Sequence, residues 1–447
     1  MKRILALVLA ALMLLVCVTG CQGTADPTDT PNTTAPQGGN EGGNEGGNGS
    51  EEPIEIVLWH TYTDHHQEAL NKIIDGFNAS QSKYVVIAEQ QPYSEFDSKL
   101  LQSVSRGIGP DFCTMFASDA IKYIDNGLLY DMTDLINDPD TGIPDFKEQI
   151  VPGLYSEITQ WGNERIYMFP VTLGSEVLFY NKTMFDALNL EEPKTWNDVE
   201  VCAKAIHDAY GIAGFGTDSV TDTFQGWMVQ AGSGYIDPAT KQVTIDRDLA
   251  IEKLNWFAKG VQEGYFRLVG EDYYFSNPFG SQKVGMYVGA AAGIDYVYAA
   301  IPEGEGHFEL GCCPIPQEGT KEYISSWGST YVCLSRDAEH AAGVVAFLKY
   351  MSQKDVLTEW AMSFGALPAR IEAVESDTFQ EYAATNVAVK ALTQEYDRIG
   401  YLPSIEGAAI VRTEIDKMVV EVAQGLTDAE TAFDNFLAAS NAALNAN

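Results

Sequence analysis

The sequence predicts an α/β protein long enough for two lobes, preceded by an N-terminal export and tether segment. Three observations predict it. Short β-branched or aromatic runs alternate with helical patterns of about ten to fifteen residues, as in βαβ units with a largely parallel sheet. About 390 residues follow the low-complexity N-terminal region, ample for two lobes. The C-terminal third is mostly helical, and no solenoid period is present.

The N-terminus sets the expected compartment. Lys2 and Arg3 precede an almost purely apolar run, Ile4 to Val18, which is short for a membrane span but suits the apolar region of a secretory signal. It ends at Val18-Thr19-Gly20-Cys21, which resembles a bacterial lipobox. Residues 1–20 are therefore expected to be a lipoprotein signal, and Cys21 the acylated (palmitate-bearing) anchor. Residues 21–53, rich in Thr, Pro, Asn, Gln, Gly and Glu, lack the apolar surface to offset ordering entropy. They read as a disordered stalk with a root-mean-square reach of roughly 30 Å.

The net charge of −36 excludes a general nucleic-acid surface and offers no broad attraction for anions. An anion would need a local cationic site. Cys17 leaves with the signal and Cys21 is acylated, leaving Cys113, Cys202, Cys312, Cys313 and Cys333. That odd number sits mostly in core-like segments, so free buried thiols are expected. Cys312 and Cys313 are adjacent on a strand and point to opposite faces, a poor arrangement for one metal.

The folded part opens with a strand, Ile54 to Trp59. Asp64 and Gln67 read as a capping box, followed by Ala69, Leu70, Ile73, Ile74 and Phe77 at helical spacing. Tyr84 to Ile87 is the next strand, and Phe96, Leu100, Leu101 and Val104 mark a helix stopped by Gly107, Gly109 and Pro110. Asp111 to Phe116 reads as a strand and Ser118 to Asn126 as a helix. Later strands are expected at Glu176–Tyr180, Val284–Val288 and Thr330–Leu334, with a helix at Asn197–Tyr210. The last helices are expected at about 337–352, 354–363, 376–395, 405–424 and 428–444, the last capped by Thr427 and Glu430.

Catalytic signatures are missing from the sequence. There is no Gly-x-Ser-x-Gly elbow, no His-Glu-x-x-His and no phosphate-binding loop, and Gly214-Phe215-Gly216 lacks the third glycine of a dinucleotide loop. His60, Asp64, His65 and His66 cluster, but consecutive residues at a helix start splay around it. Asp138, Asp140 and Gly142 hint at a calcium loop, yet Gln149 stands where the late Glu belongs. No metal and no cofactor is expected, and the chain is read as a non-enzyme.

Several segments together carry a family resemblance: EIVLWHTYTDHHQEALNKIIDGFNAS from Glu55, FPVTLGSEVLFYNK from Phe169, PKTWNDV from Pro193, FQGWMVQAGSG from Phe224, VGMYVG from Val284 and ALPAR from Ala366. In this order they resemble the family-1 extracellular solute-binding proteins of ABC importers, the glycerol-3-phosphate-binding members most of all. The resemblance implies the type II periplasmic-binding-protein fold, an α/β architecture whose two lobes close by a hinge on a ligand between them. By analogy the chain crosses between lobes near residues 169–175, 289 and 338. Lobe 1 would be 54–172 with 290–338, and lobe 2 173–289 with 339–447. A monomer is expected, lipid-anchored on the extracellular face of the cytoplasmic membrane and partnered by an ABC permease.

The resemblance also nominates site residues. Phe224 and Trp227 align with a ligand-contacting aromatic pair, although their spacing serves core packing equally. Trp59 stands at a strand's carboxyl end, where cleft residues belong, with Tyr62 just beyond. Trp327 and Gly328 match a glycine-containing bend that approaches the ligand. Arg412 aligns with a phosphate-gripping arginine, with a solvated pairing to Glu406 or Asp416 as the alternative. Where the family has a ligand-binding Tyr, Glu and second Tyr, this chain has Phe96, Ala117 and Ala366, with Tyr93, Ser118 and Asp119 as nearby substitutes. The crossing-segment serine falls at Gly174, with Thr172 and Ser175 beside it. These departures make capture of a sugar or oligosaccharide the leading expectation. A glycerol-3-phosphate or glycerophosphodiester binder comes second, and a cell-surface carbohydrate-active enzyme third.

Overall fold

A computed structural model describes residues 52–143, 145–319 and 321–446. The expected signal (1–20), Cys21 and the stalk up to residue 51 lie outside the described residues. Among the described residues no helix is long and apolar enough to cross a membrane.

Two sheets organise the chain. The strands that matter are β1 (Ile54–His60), β2 (Tyr84–Gln90), β3 (Phe112–Met115), β4 (Met168–Pro170), β5 (Glu176–Asn181), β6 (Ala213–Thr217), β7 (Val284–Ala290), β8 (Leu310–Cys313) and β9 (Thr330–Cys333). The first sheet runs β2-β1-β3-β9-β4 and the second β8-β5-β7-β6. Strands joined through helices pair in parallel, as expected: β1 with β2 and β3, and β6 with β7. Each sheet carries one strand that runs against the others. β9 opposes β3 and β4, and β5 opposes β7 and β8. Each of these two strands is the first one entered after the chain passes from the other sheet, so it arrives running against its neighbours.

The helices follow their apolar faces. α1 (Asp64–Ser80) buries Leu70, Ile73, Ile74 and Phe77. The expected capping box is not formed: Thr63 is the N-cap, and Asp64 is the first helical residue, with φ +50°. α2 (Phe96–Ser105) and α3 (Ala117–Asp125) follow β2 and β3. α4 (Trp196–Tyr210) has a complete Thr195/Asp198 capping box and packs on β6. α5 (Val220–Gln230), α6 (Arg247–Glu263), α9 (Ala408–Ala423) and α10 (Ala429–Leu444) pack together on the second half. α10 is capped by Asp428, which accepts from Thr431 N, and not by Thr427. The expected helix 376–395 is two helices, Asp377–Thr385 and Val387–Leu392, because Asn386 leaves helical geometry and caps the second with its own side chain.

The expected lobe division needs correcting. β8 pairs with β5 from Leu310–Asn181 to Cys313–Leu178, so the chain stays with the second sheet well past residue 290. It returns to the first sheet between Cys313 and Thr330, and not near 289. α7 (Ala338–Met351) packs on β1, and α8 (Lys354–Ser363) on α1. No crossing therefore occurs near 338. Ile56 and Leu58 on β1 are fully buried, and α7 packs on β1 with Gly343 set directly against Ile56. Val387–Leu392 then packs against β8. The cysteines of the described chain are free thiols, and burial raises the pKa of each.

The segments linking the sheets lie side by side. Thr172–Leu173 pairs with Leu367–Pro368, and Ile324–Ser325 with Ile399–Gly400. Trp327 N donates to Gly174 O at 2.8 Å, and Val171 N to Ser329 O at 2.9 Å. Glycine is required at 328, where a Cβ would sit 2.2 Å from the Thr172 carbonyl oxygen.

Candidate ligand site

The carboxyl edges of both sheets meet at these linking segments, which is where open α/β sheets place ligand sites. A cleft of about 290 Å³ lies there. The first half contributes Phe116 and Ser118 after β3, together with Glu157. The linking segment contributes Ser325, Ser326, Trp327 and Gly328. The second half contributes Asp222, Gln225, Tyr235 and Arg412, and the loop around Tyr401 closes one side.

α5 starts directly beyond β6, capped by Ser219, whose Oγ accepts from Asp222 N at 3.2 Å. Its Phe224 and Trp227 point inward. Trp227 meets Trp196 and Trp256 edge-on at 5.6 and 5.3 Å, and Phe224 is fully buried. The pair, for which ligand contact and core packing served equally, is core, because α5 is enclosed by α6 and α9 and Trp227 meets Trp196 of α4. The cleft instead receives Asp222 and Gln225, three apart on that helix.

Arg412 enters the cleft from α9 but is not free. Nη1 donates to Asp222 Oδ1 and Gln225 Oε1, both at 2.8 Å, and Nη2 to Asp222 Oδ2 at 2.9 Å. Neither Glu406 nor Asp416 is its partner. Burial acts to lower its pKa, and Asp222 more than offsets this, holding the guanidinium charged. Behind Asp222 lies Glu176. Burial first, then Asp222 and Asp218, push its carboxyl well above the usual carboxylate range, and its Oε1 has no hydrogen-bond partner among the described residues. Glu157 accepts from Ser326 Oγ at 3.2 Å, and burial raises its pKa to about 7. The cleft thus joins one internally neutralised cation to two carboxyl groups and several aromatic rings.

Apart from Trp59, the other nominated residues divide into three groups. Ser118, Trp327, Gly328 and Arg412 line the cleft. Tyr62, Tyr93, Phe96 and Asp119 line a separate cavity of about 640 Å³ on the first half. Thr172, Gly174 and Ser175 belong to the linking segments and are occupied there. Thr172 Oγ1 accepts from Ser329 N at 3.1 Å, and Ser175 Oγ donates to Ser325 O at 2.7 Å. Trp59 is not a cleft residue. It is buried, its Nε1 donates to Glu89 at 2.7 Å, and Lys99 lies over its ring.

Glu157, Asp222, Gln225, Tyr235 and Tyr323 are cleft residues that the sequence reading did not single out. Asp222 and Gln225 had a signal, since they share a helix with the flagged aromatics. Glu157 had none, one carboxylate among 63 acidic residues. Among the described residues no cluster of three His, Cys, Asp or Glu could hold a metal. His66 stacks on Phe364 at 3.9 Å and His60 on Tyr62. Asp138 accepts from the backbone of Asp140 and Thr141, a local turn.

Residues 72–387 match the family described as bacterial extracellular solute-binding protein, and the chain belongs to that family. Within it, the fold is the two-lobed type II binding-protein architecture, and the chain is a solute-binding protein of the ABC-importer class. It is 24% identical over 419 residues to the sn-glycerol-3-phosphate-binding periplasmic protein UgpB of Brucella melitensis, covering 87% of this chain and 93% of that one. The cyclic alpha-maltosyl-1,6-maltose binding protein of Arthrobacter globiformis superposes with a TM-score of 0.78 at 20% identity, covering 88% of this chain and 99% of that one. UgpB of Mycobacterium tuberculosis, solved in complex with glycerophosphocholine, gives a TM-score of 0.72 at 17% identity, covering 89% and 99%.

Proposed function

We propose that this protein captures a neutral sugar or oligosaccharide by closure of its lobes and delivers it to an ABC permease. It acts as a monomer held outside the membrane by a lipid on Cys21, with residues 21–53 as the tether. The observation that carries the ligand class is the Arg412–Asp222 pair. A phosphate needs an available forked cation. Here the fork is engaged by a buried carboxylate, and Glu157 adds a second acid to the cleft. A phosphate entering this site would have to displace Asp222 and leave that charge buried without a partner. A neutral sugar meets no such penalty. Trp327, Tyr323 and Tyr401 offer apolar faces, and the carboxylates accept hydroxyl protons.

The test is isothermal titration of the purified chain with a saccharide panel, glycerol-3-phosphate and glycerophosphocholine. Saccharide binding without glycerophosphate binding supports the reading; the reverse result rejects it. The glycerol-3-phosphate or glycerophosphodiester alternative draws on the names of the relatives and on the presence of Arg412 in the cleft. The protein is not expected to be an enzyme, so bound saccharide should be recovered intact. Hydrolysis products would favour a carbohydrate-active enzyme.

A further inference from the structure

We propose that the protein holds a sodium ion in a small buried cavity behind the Arg412–Asp222 pair, bound by Glu176 and Asp222. The site is separate from the ligand cleft and does not depend on the class of ligand.

The cavity has a volume of about 20 Å³. That is room for one water-sized occupant, which needs roughly 10–15 Å³. It lies where the linking segments meet the second half, with Ser175 and Ser325 on one side and Asp222 and Gln230 of α5 on the other. Glu176, the first residue of β5, lines it and is 6% exposed. Its Oε1 has no hydrogen-bond partner among the described residues, a costly state for a buried acceptor.

The side-chain donors on this wall are already committed. Ser175 Oγ donates to Ser325 O, Gln230 Nε2 to Pro316 O and Tyr323 O at 3.3 and 3.0 Å, and Trp196 Nε1 to Gln230 Oε1 at 2.8 Å. The hydroxyls of Thr223 and Thr217 bond each other at 2.6 Å, and that of Thr217 reaches Ser219 O. Asp222 accepts from Arg412 through both oxygens and from Ser219 Oγ through Oδ2. A carboxylate offers about four lone-pair sites, so Oδ1 keeps one. An occupant therefore meets acceptors.

Charge decides what the occupant is. Asp222 and Asp218 act on Glu176 more strongly than the Arg412 guanidinium does, so the cavity sits in a negative field. A water molecule would satisfy the orphaned oxygen but leave that charge. A proton on Glu176 would remove the charge but leave the space. A hard cation does both, and oxygen donors without His or Cys suit one. Glu176 and Asp222 bring two negative charges when ionised and Arg412 brings one positive, so a monovalent ion balances the group. Sodium is smaller than a water molecule and potassium about its size, which makes sodium the better fit.

The test is thermal unfolding of the full chain at pH 8 in sodium, potassium or tetramethylammonium chloride at equal ionic strength, the last cation being too large for the cavity. Sodium should raise the melting temperature by about 2 °C over tetramethylammonium, the scale of a site filled at roughly ten times its dissociation constant in a chain of this size. Potassium should give a smaller shift. In Glu176→Gln, which keeps the shape of the side chain and removes its charge, the difference among the salts should vanish. A crystal structure of the wild type grown in sodium chloride is a second readout that needs no variant: an occupant nearer to Glu176 and Asp222 than hydrogen-bond length is the ion. Equal melting temperatures in the three salts, a sodium shift retained in Glu176→Gln, an empty cavity, or an occupant at hydrogen-bond distances overturns the proposal, the last in favour of water.

Discussion

Asp222 holds both terminal nitrogens of Arg412, at 2.8 and 2.9 Å, although the two residues lie 190 positions apart. The pair is asymmetric: the Asp222 side chain is 3% exposed and that of Arg412 is 42% exposed. Removing the arginine therefore strands a buried carboxylate next to Glu176. Arg412→Ala should destabilise the ligand-free protein by about 1–3 kcal/mol, the cost of an uncompensated buried polar group. Asp222→Asn introduced alongside should recover most of it. Urea unfolding of wild type and the two variants checks this, and wild-type stability in Arg412→Ala would show that the pair has no structural role.

The same pair makes a prediction about selectivity. Asp222→Ser keeps a small polar residue in place while releasing the guanidinium fork, which then faces the cleft unneutralised. Affinity for glycerol-3-phosphate should rise by about tenfold or more, as expected for a charge-assisted bidentate contact. Titration of wild type and variant with glycerol-3-phosphate reads this directly. A variant that gains nothing would show that Asp222 is not what excludes phosphate.

Phe224 and Trp227 offer a contrasting case. Because both rings are buried among the helices of the second half, their removal should act on stability and not on the cleft. Phe224→Ala and Trp227→Ala should each cost about 3–5 kcal/mol, with saccharide affinity per folded molecule unchanged. Denaturation midpoints combined with active-fraction-corrected titration separate the two effects. A loss of affinity at wild-type stability would return these rings to the ligand.

The contrast shows which parts were legible in the sequence. Local patterns carried far: α8 spans residues 354–363 as its spacing indicates, and the inward positions of α1 follow from the 3.6 period. The crossing near 169–175 was legible because its residues match a family segment. Non-local facts were not. The pairing of β8 with β5 depends on register between segments about 130 residues apart, which no local pattern encodes. The same limit hid Arg412's partner. For α5, periodicity marked Phe224 and Trp227 as one face of a helix, but whether that face meets a core or a cleft depends on how α6, the next helix, and α9, far along the chain, pack against it.

Glu157 gives the protein a pH dependence of determinable sign. Burial raises its folded pKa to about 7, against an ordinary value near ~4.3 for an unfolded glutamate. Between those values the folded state holds a proton that the unfolded state has released, so stability falls as pH rises through the window. Asp218, raised to about 6 by burial, works in the same direction over a narrower range. Carboxylates held low by hydrogen bonds, such as Asp138 and Asp337, act in the opposite sense, but only as pH drops below the ordinary carboxylate range. They leave the upper window clear. Glu157→Gln removes one titrating group from it without removing the side chain. The stability of wild type relative to the variant should therefore be greatest near pH 4.5 and decline steadily toward pH 7, then level off. Thermal unfolding of both proteins across pH 4.5–8 measures the difference. A constant offset over that range would mean that Glu157 titrates as an ordinary surface acid, and a difference that grows with pH would reverse the sign argued here.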